Sequence, residues 1–141
     1  MTLAPLLQAS PAIQIHAFAA ISAFVLGAVQ LAAAKGTLPH RAFGWLWVTL
    51  MLVVCVSSFF IHELRVWGEW SPIHILAIFT LSMLPLAVLA AHRHQVARHR
   101  SRMIGLFVGA LVLAGLFTFW PGRIMYAVVF GPSGHAREVQ R

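Results

Sequence analysis

The sequence predicts an all-α membrane protein, built as an up-and-down bundle of four transmembrane helices. Hydrophobic residues make up 60% of the 141-residue chain and charged residues only 9%, a composition far from that of a soluble globular domain. Four apolar segments each reach the length of about 20 residues that a helix needs to cross the hydrocarbon core of a bilayer. The basic residues lie mainly between these segments, which is the usual distribution in membrane proteins.

The four predicted spans follow one another with short connections. They run from Ala12 to Ala34, from Phe43 to Ile61, from Ile73 to Ala91 and from Met103 to Trp120. Short connections make successive helices antiparallel neighbours, which predicts the up-and-down order. The apolar stretch from Ile124 to Phe130 is too short to cross and is predicted to lie at the membrane interface. We expect residues 131–141 to form a flexible tail.

The charged residues predict how the bundle is oriented. One side carries two loops that contain no acid and hold the basic residues Lys35, Arg41, Arg93, Arg98, Arg100 and Arg102. The three acids of the chain, Glu63, Glu69 and Glu138, fall on the other side. By the positive-inside rule the first side is cytoplasmic, and both termini are then periplasmic or extracellular. The six basic residues of these loops then face anionic lipids on the cytoplasmic side. Because the charge is distributed in this way, the net charge of +7 does not indicate a nucleic-acid partner, and none is expected.

The two predicted hairpins resemble each other. His16 and His74 hold matching positions in the first helix of each hairpin, and the following loops contain His40-Arg41 and His99-Arg100. Because both hairpins begin on the same side of the membrane, the likeness predicts a parallel repeat about an axis along the membrane normal. His16 and His74 would then occupy equivalent positions on diagonal helices.

Three histidines, His16, His62 and His74, are predicted to lie at one depth near the outer interface. Ionisable side chains are costly within a span, so they usually face the interior of a bundle and suggest a function. Alternating steps of four and three residues along the helix from His16 lead to the small or polar residues Ala20, Ala23, Gly27 and Gln30 on the same face. The same steps backward from His62 lead to Ser58, Cys55 and Met51. Such faces pack against other helices rather than lipid, so His16 and His62 are predicted to point inward.

We interpret these histidines as candidate ligands of a b-type haem or a transition-metal ion. Neutral imidazole is a good ligand for such metals, and a four-helix bundle can bring two rings together across its core. His16 with His74 is the preferred pair, and His62 is the substitute or a neighbour of the ligands. Arg123, at the same edge, is the candidate partner of a haem propionate or another anion.

Less specific interpretations of the same residues stay open. Interfacial histidines can simply bond to backbone, water or headgroups, and Arg123 can belong to an ion pair at the rim, where such pairs contribute little. Cys55 cannot form an intrachain disulfide, because it is the one cysteine of the chain, and is interpreted as a small core residue.

Three functional hypotheses follow, and none of them is an enzyme, because no catalytic signature is evident. The first is a redox-linked accessory protein that binds haem or metal through the outer histidines. The second is a small transporter or proton-linked carrier, as a monomer or homodimer, that uses His16, Gln30 and His62. The third is a structural subunit that contacts a larger membrane complex through Gly105 and Gly109, whose spacing lets helices approach closely.

Several short motifs carry a resemblance to a known family. They are His40-Arg41 with Gly44-Trp45, Ser57-Ser58-Phe59 with His62, Ser71-Pro72-Ile73-His74, Met103 with Gly105-Leu106-Phe107-Val108-Gly109, and Pro121-Gly122-Arg123. From His16 to about Met125 the chain resembles the bacterial membrane proteins of domain of unknown function 2306. The resemblance implies a small four-helix inner-membrane protein and supplies no mechanism.

Overall fold

Four long helices dominate the computed structural model, which describes residues 3–61, 71–120 and 123–131. The helices are α1 (Ala4–Leu7), α2 (Pro11–Ala32), α3 (Leu38–Ser58), α4 (Pro72–His92), α5 (Val96–Thr118) and α6 (Ile124–Phe130). Helices α2 to α5 are each long and apolar enough to cross a membrane. The predicted all-α membrane fold is therefore confirmed.

The starts of three spans share one local feature, a proline in the first turn. Pro11, Pro39 and Pro72 hold this position in α2, α3 and α4, where the missing N–H would have no partner within the helix. Helix α3 begins at Leu38, before the apolar run at Phe43, and Thr37 Oγ1 accepts a hydrogen bond of 3.3 Å from the His40 N–H. Hydropathy thus marks the part that crosses the bilayer, whereas capping residues set the end of the helix.

The four spans pack as a ring. Helix α2 packs on α3, α3 on α4, and α4 on α5. The middle of α5 packs on α2, which closes the ring. Within the described part of the chain α2 therefore lies diagonal to α4, and α3 diagonal to α5. Helices α1 and α6 contact each other at one end of the ring, which we call the terminal end. The opposite end, with connections 33–37 and 93–95, is the basic end.

A close contact between α2, α3 and α5 forms the middle of the bundle. Trp47 is buried, and its Nε1–H donates to the Ala23 carbonyl at 2.9 Å. A Cβ on Gly27 would lie 2.6 Å from Phe107 Cδ2 and 2.8 Å from Trp47 Nε1. The ring of Phe107 also stacks on Phe24, with ring centroids 5.5 Å apart. Only glycine fits at position 27 without a shift of its neighbours.

Helix α5 changes its winding at this contact. Residues Phe107–Leu113 are π-helical, between α-helical segments on either side, and π-helical turns are frequent at functional sites. A Cβ on Gly105 or Gly109 would meet nothing within 4 Å in the described structure. Neither glycine therefore approaches another helix closely within the described part of the chain, and their contact with a larger complex stays a prediction. The close approach lies at Gly27, on the face predicted to pack against other helices.

Candidate functional site

His16 lies in the second turn of α2, at the terminal end of the bundle, and its ring is held by α3. Its Nδ1 is 3.0 Å from the Val54 carbonyl oxygen and 3.1 Å from Ser57 Oγ. A carbonyl oxygen can only accept, so Nδ1 carries the proton that it donates. In the neutral imidazole, Nε2 then keeps its lone pair. Metal-binding histidines are commonly oriented in this way, with the second ring nitrogen donating to a carbonyl or carboxylate.

Ser57 fixes the geometry of this contact. Its Oγ lies 2.6 Å from the Val53 carbonyl and 3.0 Å from the Val54 carbonyl, so its single O–H donates to the backbone of α3. The lone pairs of Oγ then face the His16 N–H. The imidazole is thus oriented by two acceptors near the C-terminal end of α3, and His16 points into the bundle, as the small residues on its helix face predict.

A small cavity of about 30 Å³ lies beside His16. Its lining includes His16 from α2, Met51, Cys55 and Ser58 from α3, and Thr80 from α4. This volume holds an ion or one or two water molecules. Pockets for organic ligands of drug size measure roughly 300–1,000 Å³, so the cavity does not accommodate a haem.

The side chains around the cavity are buried and chemically varied. Met51 is fully buried, and Cys55 is 3% exposed; both carry sulfur, the soft donor that prefers copper(I) and related ions. Thr80 is 1% exposed, and its Oγ1 has no hydrogen-bond partner within the described residues. A buried hydroxyl without a partner costs about 1–3 kcal/mol.

His74 lies at the same end as His16, on the diagonal helix α4, and takes part in the start of that helix. The Ser71 N–H donates to His74 Nδ1 at 3.1 Å, and the ring is 4% exposed and packs against Phe59 with ring centroids 5.9 Å apart. Because Nδ1 accepts, the proton of the neutral ring is on Nε2. In this arrangement neither ring nitrogen offers a lone pair to a metal.

The remaining predicted site residues are placed as follows. His62 lies outside the described residues. Arg123 precedes α6 at the terminal end; its N–H donates to the Trp120 carbonyl, and its own carbonyl accepts from the Ala127 N–H, both at 3.1 Å. Among the described residues, no three side chains of the His, Cys, Asp and Glu types gather to hold a metal ion. A metal site near His16 and Cys55 would therefore need the thioether of Met51 as a third donor.

The family model described as "predicted membrane protein (DUF2306)" matches residues 13–133. The chain belongs to this family. The match extends from the start of α2 past the end of α6, so it includes His16, the cavity and Arg123. No curated protein and no solved structure gives a significant match. The family description carries no activity, so the functional argument rests on the residues of this DUF2306 chain.

Three residues of the cavity were present in the sequence pattern without being selected as ligands. The face that runs back from His62 contains Ser58, Cys55 and Met51, and the structure buries all three. The sulfur atoms of Met51 and Cys55 became informative only once the ring of helices brought that face beside His16. Thr80 had no sequence signal, because a single threonine in an apolar helix is common.

The polar residues of α2 do not form one continuous route through the described bundle. At the basic end, Gln30 Nε2 donates to the His40 carbonyl at 2.9 Å, and Gln30 Oε1 lies 3.1 Å from His40 Nδ1. Between Gln30 and His16, Ala23 and Gly27 pack tightly against Trp47. The described residues therefore give the carrier hypothesis no added support.

Proposed function

We propose that this protein is a membrane-embedded, redox-linked accessory protein that binds a soft transition-metal ion of the copper(I) class through His16, Met51 and Cys55. One observation carries the proposal: a thioether, a thiol and an imidazole oriented through Nδ1 line one ion-sized cavity. Imidazole and sulfur donors together favour copper over hard cations such as magnesium.

Charge favours the monovalent ion. A charged group inside the bilayer is costly unless it is paired. Copper(I) bound by one Cys55 thiolate, one neutral His16 imidazole and one Met51 thioether has no net charge. A divalent ion with the same ligands would keep one positive charge in a low-dielectric core, and no acid among the described residues is available to neutralise it.

The haem hypothesis for His16 and His74 has less support. The volume of the cavity is about one tenth of that of the smallest pockets that hold organic ligands. His74 would also have to give up the hydrogen bond from the Ser71 N–H before it could offer a lone pair. In our proposal His74 caps α4, and Arg123 lies at the same end as a partner for anions.

The distribution of charge supports an orientation with the basic end in the cytoplasm, and the resemblance to bacterial membrane proteins supports a location in a bacterial inner membrane. His16 then lies toward the outer face, with both termini outside the cytoplasm. A metal ion bound there would lie nearer the outer interface than the cytoplasmic one. This orientation suits a protein that receives or delivers a redox-active ion at the outer surface.

The test is copper(I) binding by the detergent-purified chain under anaerobic conditions, measured by competition with a colorimetric copper(I) chelator. We expect one ion per chain. His16→Gln, Met51→Leu and Cys55→Ser should each weaken binding, by roughly 10- to 100-fold or more, since even residues that only orient a ligand have effects of that size.

Matched controls lie elsewhere in the same bundle. His94→Gln removes an exposed histidine at the basic end, and Met83→Leu removes a half-buried methionine that is not among the cavity residues. Both should bind copper(I) like the native chain. If the Cys55→Ser and Met51→Leu variants bind copper(I) as tightly as the native chain, the proposal is contradicted. A Soret band in protein from cells supplied with haem would instead revive the haem hypothesis.

A further inference from the structure

The start of helix α5 carries a row of polar side chains at the basic end, away from the copper site. Its members follow the i, i+3, i+4 and i+7 spacing and are Gln95, Arg98, His99 and Arg102. Side chains at these spacings lie on one side of a helix, and the Cβ atoms of neighbours are about 5–6 Å apart. The guanidinium groups of Arg98 and Arg102 therefore belong to one small region.

Hydrogen bonds hold this row against α4. His99 Nδ1 donates to the Ala87 carbonyl at 2.9 Å. Arg102 Nη1 donates to the Leu86 carbonyl at 2.6 Å. Because the two carbonyls belong to consecutive residues, both side chains reach the same turn of α4. The groove between α4 and α5 is thus lined with fixed basic groups.

The position of Arg102 along the span is unusual for an arginine. It follows Val96, the first residue of α5, by six positions, and Leu86 precedes His92, the last residue of α4, by six. At 1.5 Å per residue both lie about 9 Å below the basic end. Arginines near the end of a span commonly extend toward the headgroups, but the bond to the Leu86 carbonyl holds this guanidinium across the groove.

The positive charges of Arg98 and Arg102 are not neutralised by the described residues. Arg98 Nη1 donates to Gln95 Oε1 at 3.1 Å, and Arg102 donates to a backbone carbonyl, so both acceptors are neutral. Helices α4 and α5 and the connection 93–95 contain no acid. A charged group at membrane depth is costly unless it is paired, so an anion in this groove would be stabilised.

We propose that Arg98 and Arg102 form a binding site for a phosphate group, which in the membrane is that of an anionic lipid headgroup. A guanidinium has five N–H groups in a planar fork that matches the oxygens of phosphate. Arg102 uses one of them for the Leu86 carbonyl, and four remain.

The depth of the site favours a lipid over a soluble anion. The apolar part of α5 begins at Met103, so Arg102 lies where the headgroups meet the hydrocarbon. Basic pockets between transmembrane helices on the cytoplasmic side are known to hold anionic headgroups. The groove adds a defined site to the general attraction of basic loops to anionic lipid.

The test is native mass spectrometry of the delipidated full chain titrated with phosphatidylglycerol, with phosphatidylcholine of the same acyl chains as the zwitterionic reference. The native chain should retain one phosphatidylglycerol molecule more tightly than any further one and more tightly than phosphatidylcholine. The double variant Arg98→Gln and Arg102→Gln should bind that first molecule at least roughly tenfold more weakly, since hydrogen bonds between charged groups are lost.

A matched control removes the same charge from the same end. The double variant Arg93→Gln and Arg100→Gln loses two exposed arginines outside the row and should bind the first molecule like the native chain. Equal weakening in both double variants would mean diffuse attraction to the basic end and would overturn the site. Unchanged binding in both would overturn it as well.

Two single variants separate the site from an effect on folding. If the first double variant loses its helical circular dichroism, Arg98→Gln provides the same test without touching the bond between α5 and α4. Arg102→Lys keeps the charge and loses the planar fork, so it should bind the first molecule more weakly than the native chain. Native affinity in Arg102→Lys would overturn recognition by the guanidinium.

Inorganic phosphate separates the two sources of the ligand. In detergent micelles at constant ionic strength, phosphate should compete with radiolabelled phosphatidylglycerol for the native chain, whereas chloride should not. Equal competition by chloride would overturn recognition of phosphate. Binding of inorganic phosphate without binding of phosphatidylglycerol would overturn the lipid assignment and identify a soluble phosphate as the ligand.

Discussion

The contact around Gly27 predicts a large effect of a single methyl group. In the Gly27→Ala variant the new Cβ would lie 2.6 Å from Phe107 Cδ2 and 2.8 Å from Trp47 Nε1. Overpacking of this kind costs about 1–3 kcal/mol. Displacement of Trp47 would also weaken its hydrogen bond to the Ala23 carbonyl, a loss of about 1 kcal/mol. We expect the free energy of unfolding to fall by about 2–4 kcal/mol.

Reversible denaturation in detergent micelles, followed by circular dichroism and Trp fluorescence, measures this change. Gly105→Ala is the matched control, because its Cβ would meet nothing within 4 Å and alanine is favoured over glycine in a helix by about 0.5–1 kcal/mol. The double variant Gly27→Ala with Phe107→Leu should recover part of the loss. A Gly27→Ala variant as stable as the native chain would refute the packing described for α2, α3 and α5.

Three further predictions concern the cavity and the orientation. Ser57→Ala removes one of the two acceptors of the His16 N–H and should weaken copper(I) binding by roughly tenfold, with little change in helicity; unchanged affinity would show that Ser57 does not orient the ring. Thr80→Val removes a hydroxyl that has no hydrogen-bond partner among the described residues and should raise the free energy of unfolding of the metal-free chain by about 1 kcal/mol; a lower free energy of unfolding would mean that the hydroxyl makes a hydrogen bond in the native chain. A cysteine at Ser10 should react with a membrane-impermeant maleimide in intact cells and one at Ala34 only after lysis; the reverse pattern would invert the orientation.

Much of the fold is encoded in patterns that the sequence displays directly. Apolar runs of sufficient length, separated by basic loops, predict four spans, because lipid allows few alternatives to the transmembrane helix. The inward direction of His16 also followed from the small residues on its face, such as Ala23 and Gly27, which are buried in the structure. These features are local or periodic, so no knowledge of helix neighbours is needed to predict them.

The site could be predicted only in part, because it depends on which helix faces meet. The identification of His16 needed only its position in an apolar helix. The sulfur atoms of Met51 and Cys55 join it across a helix interface, and the acceptor role of His74 Nδ1 depends on the backbone of Ser71. The spacing of Gly105 and Gly109 does not by itself tell whether these glycines face a neighbouring helix or a partner protein, and within the described residues the close contact lies at Gly27.

The most direct test of a copper(I) site is X-ray absorption at the copper edge of the anaerobically loaded chain. The proposed ligands predict sulfur scatterers from Met51 and Cys55 together with one imidazole from His16. Cys55→Ser should remove one sulfur scatterer and leave the imidazole. A spectrum with nitrogen and oxygen ligands alone, identical in the native chain and in Cys55→Ser, would contradict the account.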